Sequence, residues 1–125
     1  MIPIAKIVLE QHIVDEIARI GVERAPSEAC GILLPFPWNG KQIYELPNRA
    51  EKHHDMFTLY GDDIVFTIQD WVDHHPEATW DQISVWHTHP AGQVGPSETD
   101  LKERSEHCGN LVVTLTEDKP IATWF

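Results

Sequence analysis

The chain is poor in positive charge: nine Lys and Arg stand against twenty Asp and Glu in 125 residues, a formal net charge of -11 at pH 7. That balance repels phosphate backbones and anionic lipid headgroups, so neither nucleic acid nor a membrane surface is an expected partner. Cysteine is equally scarce. Cys30 and Cys108 stand alone, too few for a disulfide scaffold and wrongly spaced for a Cys-x-x-Cys zinc site, and both are expected to be reduced thiols. Long apolar runs are missing: stretches such as Ile83 to Trp86 and Leu111 to Val113 fall far short of the roughly 20 residues of a membrane span. The opening Met1-Ile2-Pro3 lacks the basic and apolar character of a signal peptide, which gives the expectation of a soluble cytoplasmic protein. Repeats, low-complexity segments and a Gly/Ser linker are also absent, so residues 1–125 are expected to form one domain around one core.

What is present reads as an α/β chain. Ile4 to Val8 suggests a short opening strand, and Leu9, Ile13 and Ile17 then recur at helical spacing up to Ala25-Pro26. Cys30 to Leu34 and Lys41 to Leu46 predict a hairpin joined by a medium loop of Pro, Trp, Asn and Gly. Residues 47–57 are polar and irregular. Asp62 to His75 carries Ile64, Val65, Ile68, Trp71 and Val72 on one predicted helical face, closed by Pro76. Gln82 to His89 predicts a strand, Pro96-Ser97 opens a short helix through about Cys108, and Leu111 to Thr116 with Pro120 to Phe125 form a last strand pair. The resulting order, β-α-β-β-α-β-α-β-β, implies a mixed sheet flanked by helices.

The chemistry lies in His87-Thr88-His89-Pro90 followed by Ser97-Glu98-Thr99-Asp100: His-x-His, seven residues, then Ser-x-x-Asp. Strand side chains alternate faces, so His87 and His89 project to one side about 7 Å apart along the chain and can converge on a cation. Ser97 and Asp100 share a face of a helical first turn that can point at the strand end. Two His and one Asp make three ligands, and tetrahedral zinc held by three protein ligands keeps a fourth position for water, which it acidifies. A base must come from elsewhere in the chain. Glu28, at the entry to a strand, is the best placed candidate to take the proton and pass it to a leaving amine, and Ser97 can donate to the developing oxyanion.

With Glu28 upstream, this pattern resembles the JAMM (MPN+) metalloprotease domain, whose motif is a Glu followed by His-x-His-x7-Ser-x2-Asp. The resemblance covers nearly the whole chain. It implies the JAMM/MPN, cytidine-deaminase-like fold, with His87, His89 and Asp100 as zinc ligands, Glu28 as general acid and base, and Ser97 as oxyanion stabiliser. The Glu28-Ala-Cys-Gly-Ile-Leu-Leu lead, the Asn48 region before Phe57, and Arg104-Ser105 to Cys108-Gly109 are most similar to the prokaryotic branch, which includes the N-terminal domain of siphophage tail-assembly protein K. Those phage proteins commonly continue into an NlpC-type cysteine peptidase domain that this chain lacks, so it is either a stand-alone form or a fragment. The Pro90-Ala91-Gly92 to Pro96-Ser97 segment is also similar to the RadC-like branch, while the Glu-x-Cys-Gly lead favours the peptidase-like one.

Plainer readings stand beside these. Ser97 and Asp100 also spell a helix capping box, which competes with metal binding only if Asp100 turns back onto its own helix. Cys30, two residues after Glu28, would face the same side of an extended strand and either compete for a metal or serve as a small core residue. His53-His54-Asp55 is expected to be a solvated loop, and His74-His75 a helix end meeting the dipole. Trp71, Trp80, Trp86 and Trp124 suggest core or rim packing, with Trp38 at an exposed turn.

The expected function is zinc-dependent peptidase or isopeptidase hydrolysis of a protein or peptide substrate that adds to the sheet edge as an extended strand. The resemblance suggests tails or isopeptide links of ubiquitin-like proteins, or a phage tail polypeptide, in the cytoplasm of a bacterial or phage-infected cell, with a phage-tail or NlpC-type peptidase partner. The rival readings are a non-catalytic MPN scaffold in an assembly and a structural zinc site closed by a fourth protein ligand.

Overall fold

The computed structural model describes residues 9–52 and 54–125. The strand expected over Ile4 to Val8 lies outside the described residues, as does His53. Among the described residues the elements are α1 (Gln11–Arg24), β1 (Cys30–Trp38), β2 (Lys41–Leu46), α2 (Gly61–His74), a 3₁₀ turn (Trp80–Gln82), β3 (Ser84–His89), α3 (Glu98–Glu103), β4 (Gly109–Thr114) and β5 (Ile121–Trp124). They form one five-stranded mixed sheet in the order β2-β1-β3-β4-β5. The α/β class with helices flanking a mixed sheet is therefore as expected.

Alternation along β3 divides the molecule into two layers. On one face α1 buries Ile13, Val14, Ile17 and Ile20 against Leu33, Trp86, Leu111 and Val113. Pro26, unable to continue a helix, follows the last turn of α1. On the other face Ile32, Leu34 and Leu46 meet Ile68 and Trp71 of α2, together with Ile83 and Cys108. The apolar face expected for α2 is narrower than the sequence pattern suggested. Ile68 and Trp71 are buried, whereas Val65 and Val72 are exposed, because the stripe that meets the sheet runs through Ile64, Ile68 and Trp71 and leaves their C-terminal neighbours about 100° away around the helix.

β1 is longer than expected and its turn tighter. The strand continues to Trp38, and Asn39 (φ +53°) and Gly40 (φ +76°) form a two-residue turn, the positive-φ pair that matches hairpin twist. Pro35 and Pro37 lack amide hydrogens, and the β1–β2 register is irregular between Leu33 and Trp38. Trp38 is half-buried instead of exposed, its indole donating to Asp70 Oδ2 at 2.6 Å. Trp71 and Trp86 are core residues, while Trp80 lies largely exposed on the rim.

Two boundaries also move. β3 begins at Ser84, since Trp80–Gln82 is a 3₁₀ turn capped reciprocally by Thr79 and Gln82. α3 ends at Glu103 instead of near Cys108: Asn110 accepts from the Ser105 amide and donates to the carbonyls of Ser105 and Cys108, which folds 105–108 into a turn. No helix among the described residues is long and apolar enough to cross a membrane.

β3 is central, paired antiparallel with β1 (Cys30 opposite His87) and parallel with β4 (His87 opposite Val112). Its carboxyl end, where a parallel pair leaves a crevice for ligands, holds His87 and His89.

Candidate metal centre

The structure brings all five sequence-predicted site residues to one place. His87 and His89 leave β3 on the face opposite Trp86. Thr88, between them, fixes the entry to β1: its amide donates to the Ala29 carbonyl at 2.9 Å, and its Oγ1 accepts from the Ala29 amide at 3.0 Å. That clamp sets Glu28, the preceding residue, beside the imidazoles.

The two imidazole Nε2 atoms are 3.2 Å apart, and Asp100 Oδ2 lies 3.1 Å from His87 Nε2 and 3.0 Å from His89 Nε2. Donor atoms about 2.0–2.1 Å from a tetrahedral zinc stand roughly 3.3–3.4 Å from each other, so this triangle is within a few tenths of an ångström of a coordination face. Glu28 Oε2 is 3.9 Å from His89 Nε2, and Glu28, His87 and His89 place donor atoms within 4.8 Å of one another. Two carboxylates thus share the imidazoles, Asp100 at coordination spacing and Glu28 just outside it. Glu28 Oε1 is buried without a hydrogen-bond partner among the described residues, a cost that a ligand in the site would relieve. The donor set fits a divalent cation.

The capping box forms without turning Asp100 away from the imidazoles. Ser97 Oγ accepts from the Asp100 amide at 3.0 Å, and the Ser97 amide donates to Asp100 Oδ2 at 2.9 Å. The oxygen that closes the helix start is the one that faces both imidazoles. Ser97 is exposed, and as an acceptor it retains its hydroxyl proton for donation.

Electrostatics separates the four groups. Burial would raise the Asp100 carboxyl, but hydrogen bonds to His87 and then His89 outweigh it and hold Asp100 well below the usual carboxylate range. Burial pulls His87 down, the bond to Asp100 only partly offsetting it, whereas the bond to Asp100 pulls His89 up. Burial pushes Glu28 up to about 7, with His89 opposing and Asp100 adding to the rise. Cys30 points its thiol at the Leu46 carbonyl and is fully buried, a core residue and not a member of the donor set.

Sequence reasoning gave no role to the supports of this centre. Phe57 stacks on the His87 ring (centroids 4.3 Å apart, planes at 21°) and Phe125 meets it edge-on at 5.8 Å. Asn48 donates to the carbonyls of Glu28 and Met56 and accepts from the amides of Ala50 and Thr58. A polar residue next to Pro47 at the end of a strand was the available signal for such a loop-closing amide. A recess of about 430 Å³ on the Glu28 side is lined by Arg24, Glu45 and Asn48, and a cavity of about 480 Å³ opens on the Asp100 side.

A mixed α/β domain that gathers two imidazoles and two carboxylates at the carboxyl end of its central strand has a donor set that could hold a metal ion and is compatible with a metallohydrolase. The model of the prokaryotic homologs of the JAB domain matches residues 10–125, and the chain belongs to that family. No curated protein matches the chain.

Proposed function

We propose that the protein is a zinc-dependent peptidase or isopeptidase. The observation that carries this reading is the triangle of His87 Nε2, His89 Nε2 and Asp100 Oδ2 with the Glu28 carboxylate 3.9 Å from its edge. His87, His89 and Asp100 would hold the zinc, which when bound supplies a Lewis acid that polarises a carbonyl and acidifies water. Glu28, raised by burial to about 7, exchanges protons near neutrality. It takes one from the attacking water as the oxygen bonds to the carbonyl carbon, and returns it to the amine nitrogen as the C–N bond breaks. Ser97 donates a hydrogen bond from its hydroxyl to the carbonyl oxygen as negative charge develops there.

An extended polypeptide is the substrate. β3 itself is paired on both sides, but β2 is an edge strand among the described residues and its Leu46 end borders the recess that Glu28 lines. A substrate strand added there runs past the carboxylate. Tails or isopeptide links of ubiquitin-like proteins and phage tail polypeptides both have this extended form, and an NlpC-type peptidase is a compatible partner. The cytoplasm, of a bacterium or of a phage-infected cell, is the proposed location.

The test compares zinc-loaded wild type with Glu28→Gln on a defined peptide mixture and on an isopeptide-linked ubiquitin-like pair, with products identified by mass spectrometry. Wild type is expected to cleave, and the variant to keep its zinc and lose at least about 100-fold in rate. Equal rates would remove Glu28 as the base. Full zinc loading with no cleavage of any substrate would favour the non-catalytic scaffold.

A further inference from the structure

The cavity on the Asp100 side is a gap in the second layer of the fold. α2 covers the β1–β2 part of that sheet face through Ile68 and Trp71, and beside it the cavity floor is Ile32, Ile83 and the half-buried Val85, with Ile64 of α2 at one side and Asp100 of α3 at another. Phe57, Leu59, Trp80 and Phe125 wall it, enclosing about 480 Å³, within the roughly 300–1,000 Å³ usual for ligand sites. Of its charged side chains, Glu103, Arg104 and His107 are exposed, and Asp100 is buried against the two imidazoles. Asn110, the buried amide in the lining, spends both side-chain N–H groups on the Ser105 and Cys108 carbonyls and accepts from the Ser105 amide, which leaves it no donor for a ligand.

The cavity is continuous with the reaction centre. Asp100 lines it, and the rings of Phe57 and Phe125 that pack on His87 also form its walls. A side chain seated there would meet the two rings that pack on His87. A charged side chain would find partners only at the mouth, at Glu103, Arg104 and His107, and would be desolvated against the inner walls of Ile83, Phe57 and Phe125, whereas an apolar one would cover apolar surface there. We infer that this cavity is a specificity pocket for a large apolar side chain, aromatic or aliphatic, on the substrate residue adjoining the scissile amide. The inference rests on the peptidase reading for what the pocket serves, and it is separable from that reading by experiment.

The first measurement needs no catalysis. N-acetyl-phenylalaninamide, with the lysine and glutamate analogues as controls, is titrated into the ¹⁵N-labelled full chain with and without zinc. The phenylalanine probe is expected to saturate at about millimolar concentration, shifting the Trp80 indole and the Leu59 and Phe125 amides. The Trp38 indole, held by Asp70, should stay put and the charged probes should do nothing. Leu59→Arg should weaken binding at least about tenfold, and Trp80→Ala, at an exposed position, provides the same test if the first variant fails to fold. Shifts alike for all three probes, no saturable shift, or probe-independent shifts that grow with protein concentration, as for a second copy of the chain, would overturn the pocket. On the peptide mixture, wild type should prefer Phe, Leu, Met or Trp next to the cut, and Leu59→Arg should lose that preference. Cleavage without preference at that position overturns the inference and leaves the peptidase reading standing. Selective binding of the phenylalanine probe with no peptide cleaved upholds an apolar side-chain site and overturns the peptidase.

Discussion

The side-chain amide of Asn48 donates a 3.0 Å hydrogen bond to the main-chain carbonyl of Glu28. Its three other bonds close the 49–58 loop that carries Phe57, so a single amide ties the carboxylate on one side of the centre to the ring stacked on His87 at the other. Asn48→Ala should cost about 2–3 kcal/mol, the expected loss for four bonds of which several partners are left unsatisfied. Urea denaturation measures it, and a change below about 0.5 kcal/mol would mean that the loop is held by something else.

The two carboxylates predict different losses. With Asp100 at 3.0 and 3.1 Å from the imidazoles and Glu28 at 3.9 Å from His89, Asp100→Ala and His89→Ala should each weaken zinc binding at least about 100-fold, while Glu28→Gln should change it by no more than about threefold. Competition with a chromogenic chelator reads all three. A large loss in Glu28→Gln with little in Asp100→Ala would reassign the ligands to Glu28, His87 and His89.

Zinc uptake should strengthen as pH rises through neutrality. A ligating imidazole must be neutral, and the bond to Asp100 raises the pKa of His89, so below that pKa the cation has to displace a proton. Above it there is no proton to displace. Apparent affinity is therefore expected to rise by about tenfold per pH unit on the acid side and then level off, with the plateau reached at lower pH in Asp100→Asn. Affinity that is flat across this range would show that His89 is not protonated in the metal-free protein.

Neither thiol should react in the folded chain. Cys30 is fully buried, with burial pushing its thiol up to about 12, and Cys108 is buried and raised by the same cause. An aromatic disulfide reagent at about pH 8 should label the cysteines only at the rate of opening, accelerated by urea. Immediate labelling of one cysteine would place that residue at a surface.

Much of this was legible beforehand, for identifiable reasons. His87, His89, Ser97 and Asp100 are close in sequence, and strand alternation plus one helical turn suffice to gather them. Glu28 comes from a distant strand and was placed by resemblance and by its strand-entry position; the Ala29–Thr88 clamp that seats it pairs residues 59 apart and has no local signature. The sequence pattern implies a wider α2 stripe than the structure has because apolar Val65 and Val72 satisfy helical spacing without facing the sheet. The end of α3 was missed because an amide beyond it, Asn110, and no breaker within it, fixes the turn. Phe57 and Asn48 lie in a segment whose polarity says loop, and the contacts that tie it to the centre, Asn48 to Glu28 and Phe57 to His87, are distant in sequence.

β3 has two faces under separate constraints. Trp86 crosses directly over Gly31, where a Cβ would lie 2.6 Å from its ring and 1.9 Å from the Tyr44 carbonyl, and Thr88 and Trp86 occupy the best-packed layer while His87 and His89 occupy the reactive one. Every position from 84 to 89 is therefore committed, either to the interior or to the chemistry. Variation that retunes this protein has to accumulate elsewhere, in the exposed 91–94 segment, the 49–59 loop and the mouth of the cavity. A laboratory library confined to those stretches should keep most members folded, whereas one directed at β3 should lose most of them.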